Sequence, residues 1–189
     1  MSDLPNNNNN NNNYTEHHPT SDVTLWTDPS TSTLKIFTSS HDGKWRLYNI
    51  NNQTNPNNTN DTSILLTKEL EHAMGGPINV LTVASNYLFC GFSGPSVRIP
   101  SPDVRVGMIH CWNLANPADP PVELNMHPDL APYAHGGRVS AFLTGIGDLC
   151  VSGGTDGVIR IWRYGPGVGG VAGFGMVKEC CGHVGEITG

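Results

Sequence analysis

Positive charge is scarce in this sequence: ten Lys and Arg stand against sixteen Asp and Glu in 189 residues, a formal net charge of −6. So small a basic complement leaves no electrostatic footprint for nucleic acid and no basic face for an anionic membrane. Long apolar runs are missing too, and none approaches the roughly 18 residues that a membrane-spanning helix needs. The N-terminus, MSDLPNNNNN, lacks the basic stretch and apolar run of a secretory leader. Cysteine is sparse and irregularly spaced, five residues in all, which points to free thiols in a reducing compartment. A cytoplasmic or nuclear location is the expectation. Helix signals are few: the one candidate, residues 67–74 (TKELEHAM), reads equally as an outer strand and its turn.

What the chain has instead is glycine (22), proline (14) and tracts of asparagine. Residues 1–20, with an unbroken Asn run at 6–13, cannot bury enough apolar surface to offset backbone ordering and read as a disordered, low-complexity tail. A second Asn-rich stretch at 49–61 reads as an expanded surface loop, and the Pro-rich stretches at 93–106 and 115–137 as two insertions. Between these lie short β-branched or aromatic segments bounded by Gly, Asp, Asn or Pro: DVTLWT, LKIFTSS, KWRLYNI, INVLTVA, YLFCGF, GMIHCWNL, RVSAFLT, DLCVSGG and VIRIWRY. That is the pattern of an all-β array of hairpins.

The array repeats. Placing IFTSSHDGKWRLYNI over CVSGGTDGVIRIWRY aligns Asp42-Gly43 with Asp156-Gly157, Arg46 with Arg160, and Tyr48 with Trp162. A middle unit, YLFCGF…VGMIHCWNL, keeps the flanking strands and Trp112 but carries a Pro-rich insertion in place of Asp-Gly. Upstream, HGGRVSAFL places Val139 four residues after His135, and GHVGEITG places Ile187 four residues after His183. Gly-His, an apolar strand, Asp-Gly, then Trp is the signature of a β-propeller blade.

In these motifs the chain resembles the WD-repeat β-propeller family. Tyr48, Trp112 and Trp162 stand 64 and 50 residues apart, longer than that family's period of about 40–45 residues, and the insertions account for the excess. The stretches GGPINVLTVASNYLFCGF…IHCWNL, GGRVSAFLTGIGDLCVSGGTDGVIRIWRY and GHVGEITG are similar, more narrowly, to the propeller of plant CCCH zinc-finger WD-repeat proteins, although no CCCH finger is visible here. The resemblance implies an all-β fold of about three blades plus the first strand of a fourth. Its repeats fall at 21–66, 67–125 and 133–180, with the next opening at 181–189. Three blades and a strand do not close a ring, since propellers have typically four to eight blades. The expectation is therefore a fragment of a longer propeller, or a ring completed by further chains.

The resemblance also implies a buried network in each blade. His135, Ser152, Asp156 and Trp162 would form it in the third unit, the carboxylate holding the imidazole, the imidazole the hydroxyl, and the hydroxyl the indole N–H. In the first unit Thr38, Asp42 and Tyr48 take those places, with His18 a loose fit for the histidine. In the second, Cys90 and Val106 fall where Ser and Asp would be, and the network is expected to be absent. His41, Arg138, Ser140 and Thr155 flank the narrow end of the blades and are candidates for partner contact. A Trp-Asp-x-Arg ubiquitin-ligase adaptor box is not matched at Trp162 or Trp112.

Other chemistries fare worse. Ser, His and Asp together suggest a hydrolase, but no G-x-S-x-G elbow is present and the trio recurs with the blade period. Cys180, Cys181 and His183 look like half a zinc site with no second pair at finger spacing. The Gly-rich stretch at 165–175 lacks the G-K-[ST] ending of a phosphate loop and reads as a connection between strands. The expected function is a non-catalytic scaffold that binds other proteins, with no cofactor, metal or small-molecule substrate. An RNA-associated scaffold, suggested only through the zinc-finger relatives, is the alternative that the acidic balance opposes.

Overall fold

The computed structural model of the protein describes residues 19–55, 58–96, 104–126, 131–166 and 172–188. The Asn run at 6–13, His18 and parts of the Pro-rich and Gly-rich stretches lie outside the described residues. Those described form three four-stranded antiparallel sheets and no helix. The first holds β1 (Thr20–Thr27), β2 (Leu34–Ser40), β3 (Lys44–Asn55) and β4 (Asn58–Ala73) in that spatial order. The second holds β5 (Ile78–Ala84), β6 (Tyr87–Pro95), β7 (Arg105–Asn113) and the two-residue β8 (Val122–Glu123). The third holds β9 (Val139–Ile146), β10 (Leu149–Gly154), β11 (Ile159–Pro166) and β12 (Ala172–Cys180). The sheets lie face to face in chain order, with β1 packed on β5 and β5 on β9.

Two apolar seams hold the sheets together. Trp26, Phe37, Trp45 and Leu47 of the first sheet meet Ile78, Leu88, Phe92 and Trp112 of the second. Phe89, Ile109 and Cys111, on the opposite face of the second, meet Val139, Cys150 and Trp162 of the third. A sheet covered on both faces needs apolar residues at successive positions rather than alternate ones. This is why YLFCGF reads as an unbroken run, buried from Leu88 to Phe92. The first sheet has no such run: Phe37, Trp45 and Leu47 are buried, while Val23 and Leu25 on its other face are 54% and 58% exposed.

Glycine sets how closely the sheets approach. A methyl group at Gly91 would lie 2.8 Å from Val139 Cγ1, and one at Gly153 would lie 2.5 Å from Ile187 Cγ2. Ile187 thus seats on the third sheet as Val139 seats on the second, and its N–H donates to the Gly154 carbonyl at 3.2 Å, but residues 181–188 form no strand, so the expected first strand of a fourth blade is not formed among the described residues. At the Asp-Gly turns Gly43 and Gly157 take φ of +76° and +73°, a left-handed backbone that glycine adopts without a Cβ clash.

Three sequence expectations are corrected. The described residues of the Asn-rich stretch, 49–55 and 58–61, are strand rather than loop: β3 and β4 continue as a paired ladder, with Asn51 opposite Leu65 and Gln53 opposite Ser63. Residues 67–73 belong to β4 and close the first sheet, rather than opening the second unit. Pairing with β3 carries the strand on past the point where aromatic spacing alone divides the units, with Leu70 opposite Leu47 and His72 opposite Trp45. Val106 is not in a turn; it lies within β7 opposite Gly94, because the connection between β6 and β7 is longer than an Asp-Gly turn.

Candidate functional site

The ordering of the third sheet's narrow end begins at its β10–β11 turn. There Asp156 accepts the Val158 N–H at 3.3 Å, and the Gly157 N–H donates to the Gly154 carbonyl at 3.1 Å. Antiparallel pairing then sets Ser152 opposite Arg160 and Cys150 opposite Trp162. The connection from the second sheet brings His135 over the turn. His135 Nδ1 stands 3.0 Å from Asp156 Oδ1 and its Nε2 2.7 Å from Ser152 Oγ, while Trp162 Nε1 donates to that hydroxyl at 2.8 Å. Indole N–H to Ser152, Ser152 O–H to Nε2, and Nδ1–H to the Asp156 carboxylate pair these four side chains, while the Arg160 Nη1 donor stands 2.8 Å from the same Nδ1 and competes for it. The structure brings together His135, Ser152, Asp156 and Trp162, and the first, second and fourth are fully buried.

Two charged residues complete this cluster without having been assigned a role from sequence. Arg160 donates to Asp156 Oδ2 at 2.9 Å and, through Nε, to Glu179 Oε2 at 3.0 Å. Glu179 lies directly opposite Arg160 on β12. Burial lowers the His135 pKa, so the ring is neutral near pH 7. Burial alone would raise Asp156, but hydrogen bonds from His135 and Arg160 outweigh it and hold the carboxyl below its ordinary value. With Ser152 fully buried and its oxygen already accepting the indole N–H, no substrate carbonyl reaches it in this conformation.

The first sheet repeats the ionic part with a different polar core. Arg46 Nη2 donates to Asp42 Oδ2 at 2.6 Å and Nε to Glu71 Oε2 at 2.8 Å. Here Ser40, not an imidazole, donates to Asp42 and accepts from Arg46 Nη1. Thr38 stands opposite Arg46, as Ser152 stands opposite Arg160, but no hydrogen bond joins Thr38 to the half-buried Tyr48. In the second sheet Cys90 is buried opposite His110, and the buried Trp112 Nε1 has no hydrogen-bond partner. Met74 occupies the place that His135 takes, two residues before the second glycine of its Gly-Gly pair.

Of the four residues flanking this end, two are open and two are engaged. His41 and Arg138 are exposed. Arg138 reaches toward Glu186 at 3.9 Å. Thr155 accepts the Arg138 N–H at 2.9 Å, and the Ser140 hydroxyl donates to the Ile187 carbonyl. The last two therefore fasten β9 to the turn and to residues 183–188. A further link missed by sequence reading is Asp22, whose Oδ2 accepts the Leu81 N–H at 2.8 Å and ties the first sheet to the second. Nothing local to β1 signals it, because its partner is remote in the chain.

At the opposite end of the sheets, two clefts open between neighbours. One, of about 730 Å³, lies between the first and second sheets and is lined by Trp26, Asp28, Lys35, Glu69 and Leu114 among others. There Lys35 Nζ bridges Asp28 at 3.3 Å and Glu69 at 2.9 Å, and stands 5.9 Å above the Trp26 ring. The other, of about 220 Å³, lies between the second and third sheets, and its lining includes the rings of Tyr87, Phe89, Tyr164 and Phe174.

No protein-family model matches this sequence, and no curated protein matches it. Among solved structures the chain is similar to the computationally designed Ika8 protein, at 14% identity and a TM-score of 0.53, over 89% of this chain and 38% of that one. It is also similar to Raptor of Chaetomium thermophilum, at 17% identity and a TM-score of 0.51, over 88% of this chain and 13% of that one. The chain thus spans less than half the length of either protein. At these identities the likeness is one of fold: an all-β arrangement of successive four-stranded sheets.

Proposed function

We propose that the chain is a non-catalytic scaffold for binding other proteins, built from WD-repeat β-propeller blades. The observation that supports this most is the buried His135–Asp156, His135–Ser152 and Trp162–Ser152 bonding beneath an exposed end. It turns four polar groups into a rigid support and leaves His41 and Arg138 presented to solvent above the turns. A side-chain set spent on internal hydrogen bonds is suited to positioning a surface, and rigid supports under exposed loops are where binding function concentrates. In such an assembly the uncovered faces of the first and third sheets are where further blades would seat, from a longer chain or from a second copy.

The RNA-associated reading draws on no basic stripe at this end. Arg46 is engaged by Asp42 and Glu71, Lys44 by Glu71, and Arg160 by Asp156 and Glu179. The scaffold reading is tested with the pair His41→Glu and Arg138→Glu, both at exposed positions. Loss of partner capture by these variants, with an unchanged melting curve, is the expected result. Capture that survives both charge reversals would sink the assignment of this end as the binding surface.

A further inference from the structure

The smaller of the two clefts brings four aromatic rings together. Tyr87 and Phe89 of β6 meet Tyr164 of β11 and Phe174 of β12 around a hollow of about 220 Å³, with Asp148 at its edge. The rings are inclined to one another rather than stacked. Tyr87 and Tyr164 are 5.9 Å apart at 44°, Tyr164 and Phe174 5.2 Å apart at 60°, and Phe89 and Phe174 5.3 Å apart at 77°. Ring faces carry negative potential and attract a cation placed within about 6 Å of a centroid.

The larger cleft at the same end shows how this protein holds an ammonium group of its own. Lys35 sits over Trp26, but its ammonium group is also met by two carboxylates, those of Asp28 and Glu69. The aromatic hollow has one carboxylate, Asp148, which is more than half exposed and shared with Arg163 at 3.3 Å. A bare ammonium there would lose hydration without gaining acceptors. A methylated one carries C–H surface in place of N–H and asks only for ring faces and a nearby negative charge. Among the described residues the single cation seated over a ring is Lys35, so no described Lys or Arg fills this hollow in that way.

We propose that the hollow is a cage for a methylated ammonium group, presented as the methylated lysine side chain of a protein partner. The volume of about 220 Å³ has room for such a headgroup, and the exposed Asp148 lines it. The choice of a protein as the source rests on the scaffold reading above; the chemistry of the cage does not. Arg163, the competing cation, opposes binding.

The test is calorimetric titration of the whole chain with tetramethylammonium chloride against ammonium chloride at equal ionic strength. Blocked trimethyllysine, blocked lysine and choline follow. The expected result is binding of the methylated probes at least about tenfold tighter than the unmethylated ones. Tyr164→Ala should abolish that preference, Tyr164→Phe should keep it, Arg163→Ala should strengthen it, and Trp26→Phe in the other cleft should leave it unchanged. Equal affinity for methylated and unmethylated probes overturns the cage, as does a preference that survives Tyr164→Ala. Choline binding as tightly as blocked trimethyllysine overturns the protein source. Either failure leaves partner capture through His41 and Arg138 intact, so it is distinguishable from failure of the scaffold reading.

Discussion

Two turns of nearly the same sequence, Ser-His-Asp-Gly at 40–43 and Gly-Thr-Asp-Gly at 154–157, support different polar cores. Both hold an aspartate, an arginine four residues on, and a glutamate from the outermost strand. The difference lies one step earlier. A methyl group at Gly154 would lie 2.5 Å from His135 Nδ1 and 2.6 Å from Asp156 Oδ1, so the imidazole lies against the carboxylate only because no side chain stands there. In the first sheet that space belongs to Ser40, whose hydroxyl takes the carboxylate itself. The Asp–Arg–Glu set is the shared frame, and a single Cβ decides which polar group completes it.

Substitutions can break that comparison. Gly154→Ser, which writes the first turn into the third, should be the most damaging. It displaces His135, strands Ser152 and Asp156 in a dry site, and is expected to cost about 3–5 kcal/mol in urea unfolding. The reverse change, Ser40→Gly, removes a buried hydroxyl from Asp42 and Arg46 but leaves those two paired with each other, and should cost about 1–2 kcal/mol. Should the two changes prove equal, Gly154 has no special role. Asp156→Asn leaves Arg160 without its internal partner and is expected to lower stability by about 3 kcal/mol, against about 1–2 for Asp42→Asn, since Arg46 is the more exposed arginine (21% against 6%).

Acid just below neutral pH should act through His135 of the third sheet and through His110 of the second, whose pKa burial also lowers. Burial keeps the His135 pKa below its ordinary 6.5, so the unfolded chain binds the proton first as pH falls. Stability contributed by the neutral ring is fully present above that value and is lost as pH drops through the window beneath it. The depressed Asp156 pKa works in the same direction at lower pH. A urea midpoint that falls between pH 7 and about pH 5.5 in the parent, and falls less in His135→Gln, is the expected outcome. Equal falls in both would remove His135 from the account.

The smallest effects concern the second sheet and Tyr48. Cys90→Ser offers the partnerless Trp112 indole the hydroxyl that Trp162 has in Ser152, and is expected to stabilise by about 0.5–1 kcal/mol. A loss of stability there would show that the seam tolerates no polar atom without a histidine behind it. Tyr48→Phe, which removes a hydroxyl unconnected to Thr38, should change stability by less than about 0.5 kcal/mol.

Much of this was legible in the residues themselves. Asp-Gly followed by Arg and an aromatic marks a turn and the strand after it, because only certain residues fit a left-handed turn position. The shared spacing of His135–Val139 and His183–Ile187 foretold that Ile187 would seat as Val139 does. The Glu partners were not legible. Glu71 and Glu179 face Arg46 and Arg160 across β3–β4 and β11–β12, connections that differ in length, so no fixed sequence offset links them. The Asn-rich ladder was hidden for another reason: asparagine is a poor strand former, and here pairing between extended backbones prevails over that preference. The aromatic hollow draws its rings from two sheets, and only their packing puts Tyr87 beside Tyr164.

The close seating of Val139 over Gly91 and of Ile187 over Gly153 has a consequence for how such a chain can change over time. The gap between neighbouring sheets is gauged by atoms that are missing, so the two glycines behave as fixed points while the aromatic and aliphatic residues around them remain free to trade bulk. A single methyl group added at either glycine would force Val139 or Ile187 to move away from its sheet. Change in sequence is therefore held tightly at two positions where there is least to mutate.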